Sequence, residues 1–213
     1  MKTLTKNIYA VQFYGIVSNI MQKRSKKGEI IGVSGVPGSF SEEAARVYAA
    51  KIGLKTFKIS YLTTVENVLA GLEKGEVTLG IFPVMNSIGG IVLETVQAVS
   101  KHNFVVKKIF EIEIHQNLLV KKGTTPDKIK QILSHDQAVK QCRGYLKRVW
   151  PKVKVGAYPD TAKAAKDLAE GTLTASTGVI ASRAAARLYK LDILGASIQD
   201  DKNNLTTFIA ARK

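Results

Sequence analysis

The chain has 213 residues, 45% of them apolar, and carries 32 basic against 17 acidic side chains for a net charge of +15. That supplies a packed core for one large domain or two small lobes and excludes the fibrous and disordered classes. A single cysteine, Cys142, excludes an internal disulfide framework and points to a reducing compartment, and no run reaches the roughly 18–20 apolar residues of a membrane span.

Residues 8–21, "IYAVQFYGIVSNIM", follow Lys2 and Lys6 in the outline of a signal peptide. Gln12, Ser18 and Asn19 interrupt the apolar run, and "QKRSKKG" follows where a small-residue cleavage site belongs. Residues 1–28 therefore read as a basic N-terminal extension, helical or loosely ordered. Six basic residues precede the first acidic one, Glu29, and the others are scattered. No basic stripe alternates with exposed aromatics, so neither nucleic acid nor a membrane is the expected partner; the surplus charge favours anionic small molecules.

From residue 29 short β-branched runs alternate with helical ones. "EIIGVSG" is a strand. "SFSEEAARVYAAKIG" is a helix, with Ser39 and Glu42 at capping-box spacing and Gly53 as its stop. "KTFKISYL" is a strand, and "TTVENVLAGLEKG" a helix with Thr63 and Glu66 at the same spacing and Gly75 at its end. "VTLGIFPV" is a buried-type strand and "GIVLETVQAVSKHN" a helix. Residues 104–120 form one long β-rich stretch. Pro126 after a threonine marks a first turn, and "SHDQAVKQCRGYLKRVW" reads as one helix with Ser134 as its cap. Then come the strand "KVKVGAY", a helix capped by Asp160 or Thr161, the strand "LTASTGVIAS", the helix "RAAARLYKLD" and the closing strand "NLTTFIAAR".

This order implies an α/β fold: two lobes with largely parallel sheets flanked by helices and a central active-site cleft, periplasmic-binding-protein-like, type II. Lobe I would comprise residues 29–105 plus 190–213, and lobe II residues 106–189. Ligands of such sheets bind where strands end and helices begin. The junctions are "GVPGSFS", "FPVMNSIGG", "LSHDQ" and "YPDTA".

At these junctions sit side chains with chemistry to offer. Asn86 and Ser87 follow a buried strand and suit a carboxylate or a ring hydroxyl. Ser134, Gln137 and Gln141 at i, i+3 and i+7 would share one helix face. His115 in an apolar strand is either a general base or a structural residue. Three histidines and one cysteine show no metal-ligand spacing, and there is no Ser-His-Asp or Cys-His elbow.

Taken together and in this order, the segments resemble the prephenate dehydratase family over residues 29–213. Gly35-Val36-Pro37-Gly38-Ser39-Phe40-Ser41 matches the family's opening loop, and Pro83-Val84-Met85-Asn86-Ser87 its Pro-Ile-Glu-Asn-Ser. Ile114-His115-Gln116-Asn117-Leu118 matches its Ile-x-His-x-Leu strand. Ser134-His135-Asp136-Gln137-Ala138 with Gln141-Cys142, Asp160-Thr161-Ala162-Lys163-Ala164-Ala165, and Asn204-Leu205-Thr206-Thr207-Phe208 match three further motifs.

The resemblance implies a carbon–oxygen lyase of phenylalanine biosynthesis, converting prephenate to phenylpyruvate by loss of carbon dioxide and the ring hydroxyl. It implies no metal and no organic cofactor, a cytoplasmic location and a homodimer. Thr206 would be the catalytic proton donor to the leaving hydroxyl. Ser39, Asn86, Ser87, Ser134, Gln141, Thr161 and Phe208 would bind substrate. Two positions depart from the family: Met85 stands where it keeps glutamate, and Thr207 where it keeps arginine. If those two charges pair in the family, losing both leaves neither unpaired. The change leaves open action on arogenate, a decarboxylase with altered outcome, or a silent ligand-binding protein. Family members usually continue into an ACT domain that binds phenylalanine; with this sequence ending at Lys213 and only residues 1–28 ahead of Glu29, neither an ACT domain nor a chorismate mutase domain is expected.

Overall fold

A computed structural model of the chain describes residues 28–213, so the sequence reading of the basic extension falls outside the described residues apart from Gly28. The first sheet takes β1 (Glu29–Val33), β2 (Phe57–Tyr61), β3 (Leu79–Asn86), the two-residue β4 (Gly90–Ile91), β5 (Val105–Glu113) and β11 (Leu205–Arg212). Its order is β2-β1-β3-β11-β5, with β4 paired to β3. The second takes β6 (Asn117–Val120), β7 (Gln131–Ser134), β8 (Lys154–Ala157), β9 (Thr177–Ala181) and β10 (Asp192–Gly195), in the order β10-β6-β9-β7-β8.

Helix α1 (Phe40–Lys51) covers one face of the first sheet through Ala44, Ala45, Tyr48 and Ala49. Helices α2 (Val65–Lys74) and α3 (Leu93–Val99) cover the other, where Val68, Leu69 and Leu72 meet Phe82. The second sheet lies between α4 (Asp136–Gln141) with α5 (Arg143–Val149) and α6 (Thr161–Glu170) with α7 (Arg183–Leu188). Alanine dominates the α6 and α7 contacts, which lets those helices sit close to the strands.

The α/β class and the two helix-flanked sheets agree with the sequence reading, but the sheets are mixed rather than largely parallel. β1 pairs in parallel with β2 and β3, and β7 with β8 and β9. β11 runs antiparallel between β3 and β5, and β6 antiparallel between β9 and β10. The returning chain enters the first sheet from the second, with no helical crossover to force a parallel strand. The long β stretch is two strands in two sheets. β5 belongs to the first sheet, so the chain crosses at residues 114–116, not near residue 105, and β10 keeps it in the second sheet to Gly195.

Capping differs from the sequence reading in three places. Thr64, not Thr63, caps α2 by accepting from the Asn67 N–H, because Thr63 takes φ 68° in the turn before it. Ser134 ends β7; His135 caps α4 through Nδ1, and the helical run breaks at Cys142 into two. Ser39 caps α1 as expected, while Glu42 reaches one residue further back than a capping box would, to the Gly38 N–H at 2.8 Å.

Candidate active site

Between the two sheets lies a cavity of about 310 Å³, at the small end of ligand sites, which run from roughly 300 to 1,000 Å³. The starts of α1, α4 and α6 border it, as do the C-terminal end of β3 and the start of β11. First-turn N–H groups have no partner within their own helix, so the cavity rim is rich in donors. Among the described residues no lysine or arginine lines it; its ionisable side chains are His135 and Asp160.

Asn86 organises the floor. Its Oδ1 accepts from the Gly89 N–H at 2.7 Å and the Ile88 N–H at 3.1 Å. Two backbone donors fix which end of the amide is oxygen. The Nδ2 group therefore points to β11, within 2.8 Å of Asn204 Oδ1, 2.9 Å of Thr206 Oγ1 and 3.1 Å of the Leu205 carbonyl. Thr206 is buried, its hydroxyl oxygen accepts from Asn86, and its own proton has no acceptor among the described residues. A hydroxyl held in that way can donate outward, into the cavity it lines.

The second sheet reaches the same network through amides. Gln141 Oε1 accepts from Gln116 Nε2 and Asn204 Nδ2, each at 3.0 Å, and Gln141 Nε2 approaches Asn86 Oδ1 at 3.4 Å. Gln116 is buried and its Oε1 has no donor among the described residues. The two sheet systems touch again at the opening loop. Ser182 Oγ donates to the Gly38 carbonyl at 2.6 Å, and the Tyr189 hydroxyl to the Pro37 carbonyl at 3.2 Å.

Of the eight residues expected from sequence, Thr206, Ser39, Asn86, Gln141, Thr161 and Phe208 line the cavity. Phe208 is nearly enclosed and stacks on Phe110, with ring centroids 6.0 Å apart. Ser87 and Ser134 are outside the lining. The Ser87 hydroxyl donates to the Asn203 carbonyl and accepts from the Leu205 N–H, stapling the turn after β3 to the start of β11. Ser134 is fully buried, its hydroxyl given to the Ile180 carbonyl at 2.6 Å. The Ser134, Gln137 and Gln141 face does not form, because Ser134 is a strand residue. His115 turns away, to Glu113 and Ser197. Asn204 and Gln116 complete the network, though an amide beside a strand end carries no local sequence signal until its distant partner is known.

Met85 and Thr207 are register partners on β3 and β11, directly opposite each other. Neither lines the cavity; Thr207 Oγ1 donates to Glu111 Oε1 at 3.2 Å. The two positions where the resemblance would place glutamate and arginine therefore coincide in space, on the sheet face opposite Asn86 and Thr206. Among the described residues no cluster of three or more His, Cys, Asp or Glu side chains could hold a metal, and no helix is long and apolar enough to cross a membrane.

The chain matches the family model "Prephenate dehydratase" over residues 31–213. It is 35% identical over 177 residues to a prephenate dehydratase of Methanocaldococcus jannaschii, across 83% of this chain and 62% of that one. It is 33% identical over 182 residues to arogenate dehydratase 5, chloroplastic, of Arabidopsis thaliana, across 84% of this chain and 41% of that one. The structure of a prephenate dehydratase from Arthrobacter aurescens in complex with L-Phe superposes with a TM-score of 0.77 at 24% identity, over 86% of this chain and 60% of that one. The chain thus spans between about two-fifths and three-fifths of the length of these relatives. A family match over residues 31–213, which takes in both sheets and every residue that lines the cavity between them, makes the chain a member of the prephenate dehydratase family.

Proposed function

We propose that the cavity decarboxylates and dehydrates prephenate to phenylpyruvate, with Thr206 as the proton donor. The observation that carries this is the Thr206 hydroxyl, which accepts from Asn86 and keeps its own proton free toward the cavity. In the reaction the bond from the ring to its carboxylate breaks, and carbon dioxide leaves. The freed electron pair aromatises the ring and expels the hydroxyl, which takes a proton to become water. Aromatisation drives the step, so the site need only hold the ring and ease the departure of oxygen. A hydrogen bond from Thr206 strengthens as charge builds on the leaving oxygen, and the Asn86 N–H stabilises the negative charge then felt at Thr206 Oγ1.

The two substrate carboxylates meet no cationic side chain among the described residues of the cavity. In this reading Ser39, Thr161 and the first-turn N–H groups of α1 and α6 bind them, helped by the helix dipoles. Gln141 and Asn86 orient the ring, while Ser87 and Ser134 act at one remove by fixing backbone. The protein works as a homodimer in a reducing, cytoplasmic setting. Exposed Ile91, Leu93 and Val96 along β4 and α3 offer apolar surface for the dimer, and the single buried Cys142 suits that compartment.

Asp160 favours arogenate as a second substrate, since arogenate carries an ammonium where prephenate carries a ketone, and Asp160 is the acidic side chain at the cavity. Following purified protein with each substrate by the ultraviolet absorbance of the aromatic product tests both readings. Turnover of neither overturns the proposal; an Asp160→Asn change that lowers only arogenate kcat/KM supports the second.

A further inference from the structure

On the outer side of α4 and α5 lies a second depression, an open groove of about 620 Å³. The same short helix separates it from the cleft: Ala138 and Gln141 line the cleft, Val139 and Lys140 the groove. Its floor is apolar, built on buried Leu146 with Trp150 and Val153. Its rim carries Lys140, Arg143 and Lys147 against a single carboxylate, Asp136.

Three features set this rim apart from ordinary solvated charge. Arg143 and Lys147 lie four residues apart on α5, where like charges repel, and Lys140 near the end of α4 adds a third cation to the same rim. None of the three makes an ion pair among the described residues. Beside them the Trp150 indole N–H is shut away from solvent with no acceptor among the described residues, a state that buried donors rarely keep.

We propose that this groove binds a small amphipathic organic anion, an aromatic monocarboxylate in chemical class, with its ring on the Leu146–Trp150 floor and its carboxylate among Lys140, Arg143 and Lys147. Arg143 offers the planar fork that suits a carboxylate, and the two lysines add charge without demanding a fixed geometry. The volume is that of a small-molecule site, and the cation surplus selects an anion over a neutral ligand. The site is separate from the cleft and does not depend on the reaction assigned there.

Trp150 is the chain's one tryptophan, so its fluorescence reports this groove directly. The whole protein is titrated with 3-phenylpropionate, with its neutral counterpart 3-phenylpropanol, and with propionate. A saturable change in Trp150 emission is expected with 3-phenylpropionate, at an affinity at least about tenfold above the other two. Replacing Lys140, Arg143 and Lys147 together by glutamine is expected to weaken it by about tenfold or more, with an unchanged circular dichroism spectrum. No saturable change, equal affinity for the alcohol, or undiminished affinity in the triple variant each overturns the proposal. If the triple variant does not fold, Arg143→Gln alone and the salt dependence of wild-type binding decide it. An affinity indifferent to both Arg143 and sodium chloride overturns it.

Discussion

The Asn86 side-chain amide donates to the Thr206 hydroxyl oxygen at 2.9 Å, across the β3–β11 ladder in which the two residues are register partners. That bond occupies an acceptor site of the hydroxyl and leaves its proton to the cavity. Thr206→Ala removes the donor without opening a core void of any size, so folding should be unchanged while kcat falls by about 10²–10³-fold. Thr206→Ser should keep most of the rate. Initial rates of phenylpyruvate formation compare the three; an alanine variant with wild-type kcat denies Thr206 its role.

Asn86→Asp is isosteric and more informative than truncation. The Gly89 and Ile88 N–H groups still hold one oxygen, so the second faces Asn204 Oδ1, the Leu205 carbonyl and Thr206 Oγ1. Thr206 then donates to the new carboxylate instead of to substrate. Activity should fall at neutral pH by a factor similar to that of Thr206→Ala and recover partly as pH drops and the carboxyl takes a proton. A kcat–pH profile parallel to wild type would show that the Asn86 donor is not needed.

Much of this arrangement is legible in sequence because helix starts announce themselves. Ser39 caps α1 as read, Asp160 rather than Thr161 caps α6 of the two candidates, and both helix starts border the cavity. What stayed hidden depends on chain segments far apart. Ser134 looks like a cap until β7 is seen to need it as a fourth strand residue, paired with Ala157. Residues 104–120 read as one β stretch, since alternation says nothing about which sheet a strand joins. The amide bridge from Asn204 to Gln141 spans 63 residues, and no local pattern encodes it.

His102 should make the fold sensitive to alkaline pH. Its ring nitrogens lie 2.9 Å from Glu73 and 2.9 Å from Glu66, so both must carry protons to donate. The hydrogen bond to Glu73, then that to Glu66, raises the imidazole above its usual 6.5. Both carboxylates are held below their usual 4.5, Glu66 chiefly by His102 and Glu73 chiefly by the Asn103 N–H and then His102. A raised histidine stabilises fully below 6.5 and fades as pH climbs through its folded-state value; lowered carboxylates stabilise fully above 4.5. The cluster therefore contributes most between pH 4.5 and 6.5. Wild type minus His102→Gln, compared as Tm against pH, should be largest in that window and shrink on the alkaline side. A flat difference would contradict the assignment.

Gly38 holds the opening loop against the second sheet's helices. Its φ of 84° suits glycine, and a Cβ there would lie 3.0 Å from Ala185 Cα. Gly38→Ala should cost about 2–3 kcal/mol through backbone strain and the clash with α7. Ser182→Ala, which removes both the bond to the Gly38 carbonyl and the α7 cap on the Ala185 N–H, should cost about 1–2 kcal/mol. Urea unfolding measures both; costs that add fully in the double variant would mean that the two do not act through one contact.

Met85 and Thr207 make the last case, because a paired loss predicts a paired rescue. They face each other on adjacent strands, away from the cavity, and Thr207 already leans on Glu111. Met85→Glu alone adds a carboxylate to a face that holds Glu111 and should destabilise slightly. Thr207→Arg alone gains Glu111 as a partner. With both, the new arginine lies between two carboxylates, and the cross-strand pair should show a coupling of roughly 0.2–1 kcal/mol in a double-mutant cycle. Because neither side chain lines the cavity, the gain should register in stability before it registers in kcat. If the double variant is neither more stable nor more active than the better single one, the two departures from the family pattern are independent, and their meeting across the ladder carries no coupling.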